Sequence, residues 1–525
     1  MRGLAAACAV LCLLGAGGEA FAASPLSRKI DSGLLEGKPE GQAIAFLGVP
    51  FAAPPVGALR WRPPQPAADW PGVRKADAYG PDCLQMPMAQ VPGPGFANPS
   101  SEDCLYLNVW TPAHRPAGPL PVMVWIYGGA FIMGAGSYPD YDGAHFAEKG
   151  VVLVTLNYRL GLFGFFAHPA LTAETPDGPL GDYGFMDQVA ALKWVQRNIR
   201  AFGGDPSNVT VFGESAGGEA VNALMVSPLA RGLFAKAIVQ SGGGRSLPGS
   251  LAWPRLRDGP DSAEARGKAW AASAGVATDD PAALRALPAS TVLKASFGPR
   301  LPTPIIDGRV VPERIETALA DGRHAVVPFL VGSNSQEDSL VRWLPEEPGE
   351  MLRALGPAGQ AGLDLYKADG LDDRAAAARM WGEAFMVAPA RFVARHMAAA
   401  GAPTWLYHYA YVPKARRGAD AGAAHGAELN LVFGNMDRVS MVGETAADGP
   451  MSELIQDYWI SFARTGDPNG GGRPRWPAYS ARGDELLAFT NDGAVALKGF
   501  DKQRLDVLDR LSGVEAAAEP VSAPR

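Results

Sequence analysis

The sequence has few cysteines and histidines and no cluster of basic residues. Its 525 residues include only four cysteines and seven histidines. The net charge is −7, and the lysines and arginines form no cluster that could follow a phosphate backbone. Nucleic acids are bound through clustered basic side chains. We therefore expect no nucleic-acid partner.

Hydrophobic runs long enough to cross a membrane are also missing. The run Leu4 to Leu14 covers 11 residues, whereas a membrane-spanning helix needs about 20. It follows Arg2 and precedes Ala20-Phe21-Ala22, an order typical of a secretion signal with its cleavage site. The sequence predicts a signal peptide over residues 1–22, cleaved near Ala22, and a secreted or periplasmic protein without stable membrane insertion.

Removal of the signal peptide would leave the mature chain with two cysteines, Cys83 and Cys104. In an oxidising compartment an isolated pair of this kind most often forms a disulfide. Closing the loop between them would stabilise the fold by about 3 kcal/mol.

Hydrophobic residues make up 47% of the chain, enough for a large core. Runs such as 122–127, 151–158 and 209–212 are apolar throughout, as in parallel strands buried on both faces. Apolar residues at helical spacing lie between the last two runs, which indicates a doubly wound α/β sheet. We expect one domain over residues 23–512 with a large, mostly parallel sheet flanked by helices, and a flexible tail over 513–525. Helical insertions near 252–300 and 350–400 are expected to form a cap.

The segment NVTVFGESAGGEAV places Ser215 between a predicted strand and a predicted helix. Gly213 and Gly217 complete the pattern G-x-S-x-G, which in this context is typical of the nucleophile turn of α/β-hydrolases. Glycines on both sides let the serine occupy a strained backbone conformation. The alternative is a tight connection without catalytic function.

A serine nucleophile needs a histidine base, and in α/β-hydrolases the acid and the base follow the serine in the chain. Four histidines follow Ser215: His324, His396, His408 and His425. The first precedes a strand, and the next two lie within a predicted helix and a predicted strand, where they have structural roles. His425 lies in a loop of small residues and is the candidate base, the alternative being a solvated histidine. Glu337 and Asp338 follow a strand, and their positions do not decide between them for the acid.

Backbone N–H groups are the expected donors to the oxyanion of an acyl-transfer reaction. The segment WIYGGAF ends a predicted strand and places Gly128, Gly129 and Ala130 where no bulky side chain blocks them. The N–H of Ala216, next to the serine, would complete the set. A tight turn at the two glycines is the alternative.

Two long segments, FGGDPSNVTVFGESAGG and EDCLYLNVWTP, resemble the two signatures of the type-B carboxylesterase and cholinesterase-like family of α/β-hydrolases. The resemblance extends from about residue 26 to 500. It implies an α/β-hydrolase fold, and it assigns the nucleophile to Ser215, the acid to Glu337 in GSNSQE, and the base to His425. It also implies oxyanion donors at Gly129, Ala130 and Ala216 and a disulfide between Cys83 and Cys104. Glu214 resembles a family acid that tunes the electrostatics of the site.

The loop between Cys83 and Cys104 differs from that of cholinesterases, because it lacks the tryptophan that stacks on a quaternary ammonium group. Choline binding therefore loses its main platform. The triad and the resemblance together predict a serine esterase for small carboxylic esters that acts through an acyl-enzyme and needs no metal or other cofactor. Its activity is expected to fall below about pH 6.5, the ordinary pKa of histidine. Alternatives are a lipase, an esterase dedicated to a natural product or xenobiotic, and a non-catalytic binding module of the same fold. We expect a monomer or a weak homodimer.

Overall fold

The computed structural model of the protein describes residues 25–86, 98–114, 117–178, 180–246, 252–276, 279–297, 301–343, 347–353, 355–440 and 442–513. The predicted signal peptide, its cleavage site near Ala22 and residues 514–525 of the predicted tail lie outside the described residues. Within the described part, no helix has both the length and the apolar character needed to cross a bilayer.

Sixteen strands form the sheets of the described chain: β1 Ser27–Ile30, β2 Gly33–Glu36, β3 Lys38–Glu40, β4 Ala43–Pro50, β5 Val73–Lys75, β6 Asp82–Cys83, β7 Ser100–Ser101, β8 Tyr106–Pro112, β9 Leu120–Ile126, β10 Val152–Leu156, β11 Gly204–Glu214, β12 Lys236–Gln240, β13 Phe329–Asn334, β14 Thr404–Tyr409, β15 Glu485–Thr490 and β16 Gly493–Lys498. The α-helices of the same residues are α1 Ala144–Glu148, α2 Gly161–Gly164, α3 Pro169–Glu174, α4 Tyr183–Asn198, α5 Ala216–Val226, α6 Ala263–Ser273, α7 Pro281–Arg285, α8 Ala289–Ala295, α9 Ile315–Ala320, α10 Pro348–Arg353, α11 Gly356–Lys367, α12 Asp373–Gly382, α13 Ala388–Ala399, α14 Leu429–Phe433, α15 Gly449–Thr465 and α16 Lys502–Leu511.

The central sheet has eleven strands in the order β16-β15-β14-β13-β12-β11-β9-β10-β8-β4-β3. The strands from β15 to β10 in this order are parallel, while β16 at one end and β8, β4 and β3 at the other are antiparallel. Strands β9, β10, β12 and β13 are buried at every position, because helices cover both faces of the sheet. The predicted large, mostly parallel sheet is confirmed.

Helices connect the parallel strands, since two parallel neighbours require a crossover. Helix α4 leads to β11 and buries the predicted apolar stripe, including Phe185, Val189 and Leu192. Helix α5 connects β11 to β12, and α15 precedes β15 and is capped at its C-terminus by Gly466.

The structure corrects one expectation about the insertions. Helix α13, in the segment expected to belong to the cap, packs against β13 and β14 and is the crossover between them. Helices α10, α11 and α12 form a second, small hydrophobic cluster with helix α16 and with Ala388 at the start of α13. This cluster borders the predicted acid, because a Cβ added at Gly382 on α12 would lie 2.4 Å from the backbone N of Asp338.

Candidate active site

Ser215 lies at the turn between β11 and α5, at the carboxyl edge of the sheet. Its backbone has φ +57° and ψ −128°, a conformation that non-glycine residues rarely adopt. Two hydrogen bonds hold it there: the N–H of Ser215 donates to the carbonyl of Gln240 at 2.9 Å, and its carbonyl accepts from the N–H of Glu219 at 2.9 Å. The turn therefore fixes the serine at the end of the strand, where its side chain is only partly buried.

The glycines around the serine leave no room for side chains. A Cβ added at Gly213 would lie 2.5 Å from the carbonyl carbon of Gly217, and one added at Gly217 would lie 2.0 Å from the carbonyl oxygen of Ile126. Both contacts are with backbone atoms, which cannot move aside as a flexible side chain can. Close packing of α5 against the end of β9 therefore explains the glycine pattern of the motif.

Glu337 and His425 meet at the ends of two neighbouring strands. Glu337 lies just past β13, and the chain after β14 returns so that Ala424 pairs with Gln336. This pairing brings Nδ1 of His425 to 2.6 Å from Oε2 of Glu337. The structure thus brings Glu337, and not Asp338, to the histidine.

The other oxygen of Glu337 is also held. Oε1 accepts a hydrogen bond from the backbone N–H of Asn334 at 2.7 Å and another from Oγ of Ser241 at 2.6 Å. The backbone N–H of His425 donates to Oγ of Ser339 at 2.9 Å. These bonds fix both partners of the acid–histidine pair.

The second ring nitrogen of His425 faces Glu214. Nε2 lies 3.1 Å from Oε1 of Glu214, and among the described residues it has no hydrogen-bond partner, Ser215 included. The Glu214 carboxylate stands beside the serine, because a Cβ added at Gly128 would lie 2.8 Å from Oε2 of Glu214 and 2.9 Å from Cβ of Ser215. The imidazole therefore reaches the immediate surroundings of the serine without bonding to its hydroxyl in this structure.

The charges of the site favour a protonated histidine. Burial by itself lowers the pKa of His425, but the negative charges of Glu214 and Glu337 outweigh it and raise that pKa above its ordinary value. Burial raises the pKa of Glu214, and the charge of His425 opposes that rise. The two carboxylates together keep His425 protonated up to a higher pH. This moves the expected pH for loss of activity upward from the ordinary histidine value.

Two polar side chains of the site were not identified from the sequence. Ser241 follows β12 directly and contacts Glu337. Glu428 is buried and accepts hydrogen bonds from Nε2 of Gln240 at 3.0 Å and from Nδ2 of Asn334 at 2.6 Å. Both could have been suspected, because Ser241 ends the segment KAIVQS, which has an apolar centre, and Glu428 lies three residues past His425.

The segment after β9 has three consecutive residues with positive φ: Gly129 at +105°, Ala130 at +53° and Phe131 at +61°. The N–H groups of Gly129 and Ala130 donate to no other described residue, and Ala130 is exposed. The N–H of Ala216 is at the first position of α5, where a helix provides no acceptor. All three predicted donors are therefore available to a ligand.

Two further observations concern groups outside the serine turn. Cys83 and Cys104 form a disulfide, as predicted. No group of three or more metal-ligating side chains occurs among the residues that the structure describes.

A serine on a strand–turn–helix elbow, with a buried acid–histidine pair at the same edge of a mostly parallel sheet, defines the class of α/β-hydrolases. The Carboxylesterase family matches residues 24–350 and 363–507 of the chain. The chain is therefore a member of the carboxylesterase family, and it is a carboxylic ester hydrolase that acts on small-molecule esters.

Known relatives cover most of the chain. It is 40% identical over 488 residues to the fumonisin B1 esterase of Sphingopyxis macrogoltabida. The alignment covers 88% of this chain and 86% of that protein. It is 35% identical over 490 residues to the para-nitrobenzyl esterase of Bacillus subtilis, with 88% and 94% covered. A solved structure of a PNB esterase is similar with a TM-score of 0.81 at 33% identity, covering 92% of this chain and 99% of the other.

Proposed function

We propose that the protein hydrolyses carboxylic esters through an acyl-enzyme on Ser215, with His425 as the base and Glu337 as the acid that orients it. The observation that carries this proposal is the 2.6 Å contact between Nδ1 of His425 and Oε2 of Glu337 beside the serine turn. A histidine held in this way presents Nε2 as the proton acceptor, as in a serine hydrolase triad.

The reaction begins when His425, in its neutral form, turns Nε2 from Glu214 to Ser215 and accepts the hydroxyl proton of the serine. Oγ then attacks the ester carbonyl, and the N–H groups of Gly129, Ala130 and Ala216 stabilise the oxyanion. The alcohol leaves with the proton from His425, and water repeats the sequence to release the acid. Apo enzymes often lack a tight serine–histidine bond and form it only with substrate.

Replacement of the serine tests the proposal. The variant Ser215→Ala is expected to lose at least about 10⁴-fold in kcat on a p-nitrophenyl ester, whereas Ser207→Ala, a change of an exposed serine at the start of β11, is expected to keep full activity. An organophosphate should add its phosphoryl group to Ser215, as located by peptide mass spectrometry. Full hydrolysis by Ser215→Ala would reject the acyl-enzyme.

Two kinds of enzyme with a narrower choice of substrate are candidates besides a general esterase. Similarity to the fumonisin B1 esterase favours an esterase dedicated to a natural product of that kind, and a lipase is the other candidate. A panel of short p-nitrophenyl esters, para-nitrobenzyl esters, fumonisin B1 and a long-chain triglyceride distinguishes them through kcat/KM. A general esterase prefers the short esters, whereas a dedicated esterase prefers fumonisin B1 by at least tenfold.

We also propose export of the protein after cleavage near Ala22, on the basis of the apolar segment that precedes it. Mass spectrometry of the protein recovered outside the cytoplasm should show a chain that begins near residue 23. A cytoplasmic protein that retains residues 1–22 would contradict this.

Light scattering should show a monomer or a weak homodimer.

A further inference from the structure

The loop of residues 241–246, here called the Ser241 loop, joins the end of β12 to the surroundings of the candidate acid. Ser241 is fully buried and has φ +46°. Its N–H donates to the carbonyl of Gly332 at 2.8 Å, and its Oγ donates to Oε1 of Glu337 at 2.6 Å. The position of this loop therefore decides whether Glu337 keeps one of its hydrogen bonds.

Arg245, near the other end of the Ser241 loop, is fixed to the C-terminal helix. Its side chain is 1% exposed, and Nη1 lies 2.6 Å from Oδ1 of Asp509 on α16. The guanidinium also lies over the ring of Phe392, 5.2 Å from its centroid. A buried arginine is tolerated only with its partner in place. The ion pair therefore determines where this end of the loop lies.

Asp509 is itself held by helix α13. Its Oδ2 lies 3.0 Å from Nη1 of Arg391 and 3.4 Å from Nη1 of Arg395. Arg391 also pairs with Asp484 at 2.7 Å and with Asp506 at 2.8 Å. The three arginines and three aspartates balance in charge and join α16 to α13, which packs against β13, the strand that leads to Glu337.

We propose that Arg245 and Asp509 are positioning residues for the esterase reaction. Their ion pair anchors the Ser241 loop on the C-terminal helix, and the loop in turn holds Glu337 in the orientation that binds His425. This inference rests on the proposed function, in which Glu337 orients the base. Loss of the ion pair loosens the loop, weakens the bond from Ser241 to Glu337 and slows the chemical step without changing substrate binding.

A double-mutant cycle in kcat tests the proposal on the full-length enzyme with a p-nitrophenyl ester. Ser241→Ala removes one hydrogen bond to a charged acceptor, so kcat is expected to fall about tenfold. Arg245→Met is expected to lower kcat by about three- to tenfold with KM unchanged, and Arg245→Lys to recover part of the loss. The double variant is expected to be no slower than Ser241→Ala alone, because Arg245 acts through Ser241.

Arg395→Met is the matched control, because Arg395 also forms an ion pair with Asp509 but does not belong to the Ser241 loop. It is expected to lower the melting temperature as Arg245→Met does and to keep kcat. Multiplying effects in the double variant, or an equal loss of kcat in Arg395→Met, would overturn the proposal. If Arg245→Met does not fold, the cycle is run with Arg245→Lys and judged in the same way. Full activity of Glu337→Gln would instead reject the proposed function.

Discussion

Nε2 of His425 lies 3.1 Å from Oε1 of Glu214, the residue that precedes the candidate nucleophile. Nδ1 of the same ring lies 2.6 Å from Glu337, so the imidazole has a carboxylate on each side. Two negative charges stabilise the imidazolium form, which cannot accept a proton from serine. A protonated His425 must therefore lose its proton before the serine can react.

Removal of the Glu214 charge should shift the pH dependence of activity. Because Glu214 raises the pKa of His425, the wild-type enzyme needs a higher pH to hold a neutral histidine, and Glu214→Gln should need a lower one. We expect the acid limb of kcat/KM to move down by about one pH unit. Glu219→Gln, in the first turn of α5, serves as the control and should leave the acid limb of kcat/KM in place. An unshifted limb in Glu214→Gln would contradict the assignment.

The two adjacent carboxylates past β13 should differ sharply in their effect on catalysis. Glu337→Gln removes the charge that orients His425, and we expect kcat to fall about 10³- to 10⁴-fold. Asp338→Asn should change kcat by less than about threefold, because the histidine contacts only its neighbour. Steady-state kinetics with circular dichroism spectra of both variants provide the measurement. Similar losses in the two variants would show that Glu337 has no special role.

A single methyl group at Gly217 should be incompatible with the serine turn. The added Cβ would lie 2.0 Å from the carbonyl oxygen of Ile126, so α5 would have to move away from β9. We expect Gly217→Ala to lower the free energy of unfolding by about 3 kcal/mol or more and to abolish activity. Gly449→Ala at the start of α15, where an added Cβ meets open space, should leave the free energy of unfolding within about 1 kcal/mol. Urea denaturation compares the two, and a stable, active Gly217→Ala would be the contrary result.

The disulfide should contribute to stability and not to the chemistry. Replacement of Cys83 and Cys104 by alanine is expected to lower the free energy of unfolding by about 3 kcal/mol. At moderate temperature kcat should stay within about twofold, since both residues lie outside the serine turn. Dithiothreitol should destabilise the wild type and have no effect on the double variant. If dithiothreitol also destabilised the double variant, its effect on the wild type would not come from reduction of this disulfide.

Local patterns predicted much of the site because its constraints are local. The glycines around Ser215 follow from backbone contacts within one turn, and the buried strands appear as continuous apolar runs. Glu337 and Asp338 both follow a strand, so their positions alone did not decide which of them is the acid. The family resemblance pointed to Glu337. The structure brings only Glu337 to His425.

Features that depend on contacts between distant segments could not be predicted. Helix α13 has no local sign that it is a crossover and not part of a cap, because its packing partners lie on β13 and β14. The orientation of His425 towards Glu214 depends on the path of the chain after β14. The bond from Ser241 to Glu337 joins residues 96 positions apart. Such pairings follow from tertiary packing, which no short pattern encodes.

The order of the strands sets a minimum reach for one connection. Strand β14, which leads to His425, lies three places from β11, which carries Ser215, and at ordinary strand spacing this is about 14 Å. The segment 410–424 carries the chain from the end of β14 back to Gln336, just past β13, where Ala424 pairs with it, and the side chain of His425 reaches on towards Glu214. Insertions in this segment are therefore compatible with hydrolysis, and a deletion that left it too short for Ala424 to reach Gln336 would leave the ring near the end of β14, out of range of Glu337 and of the alcohol.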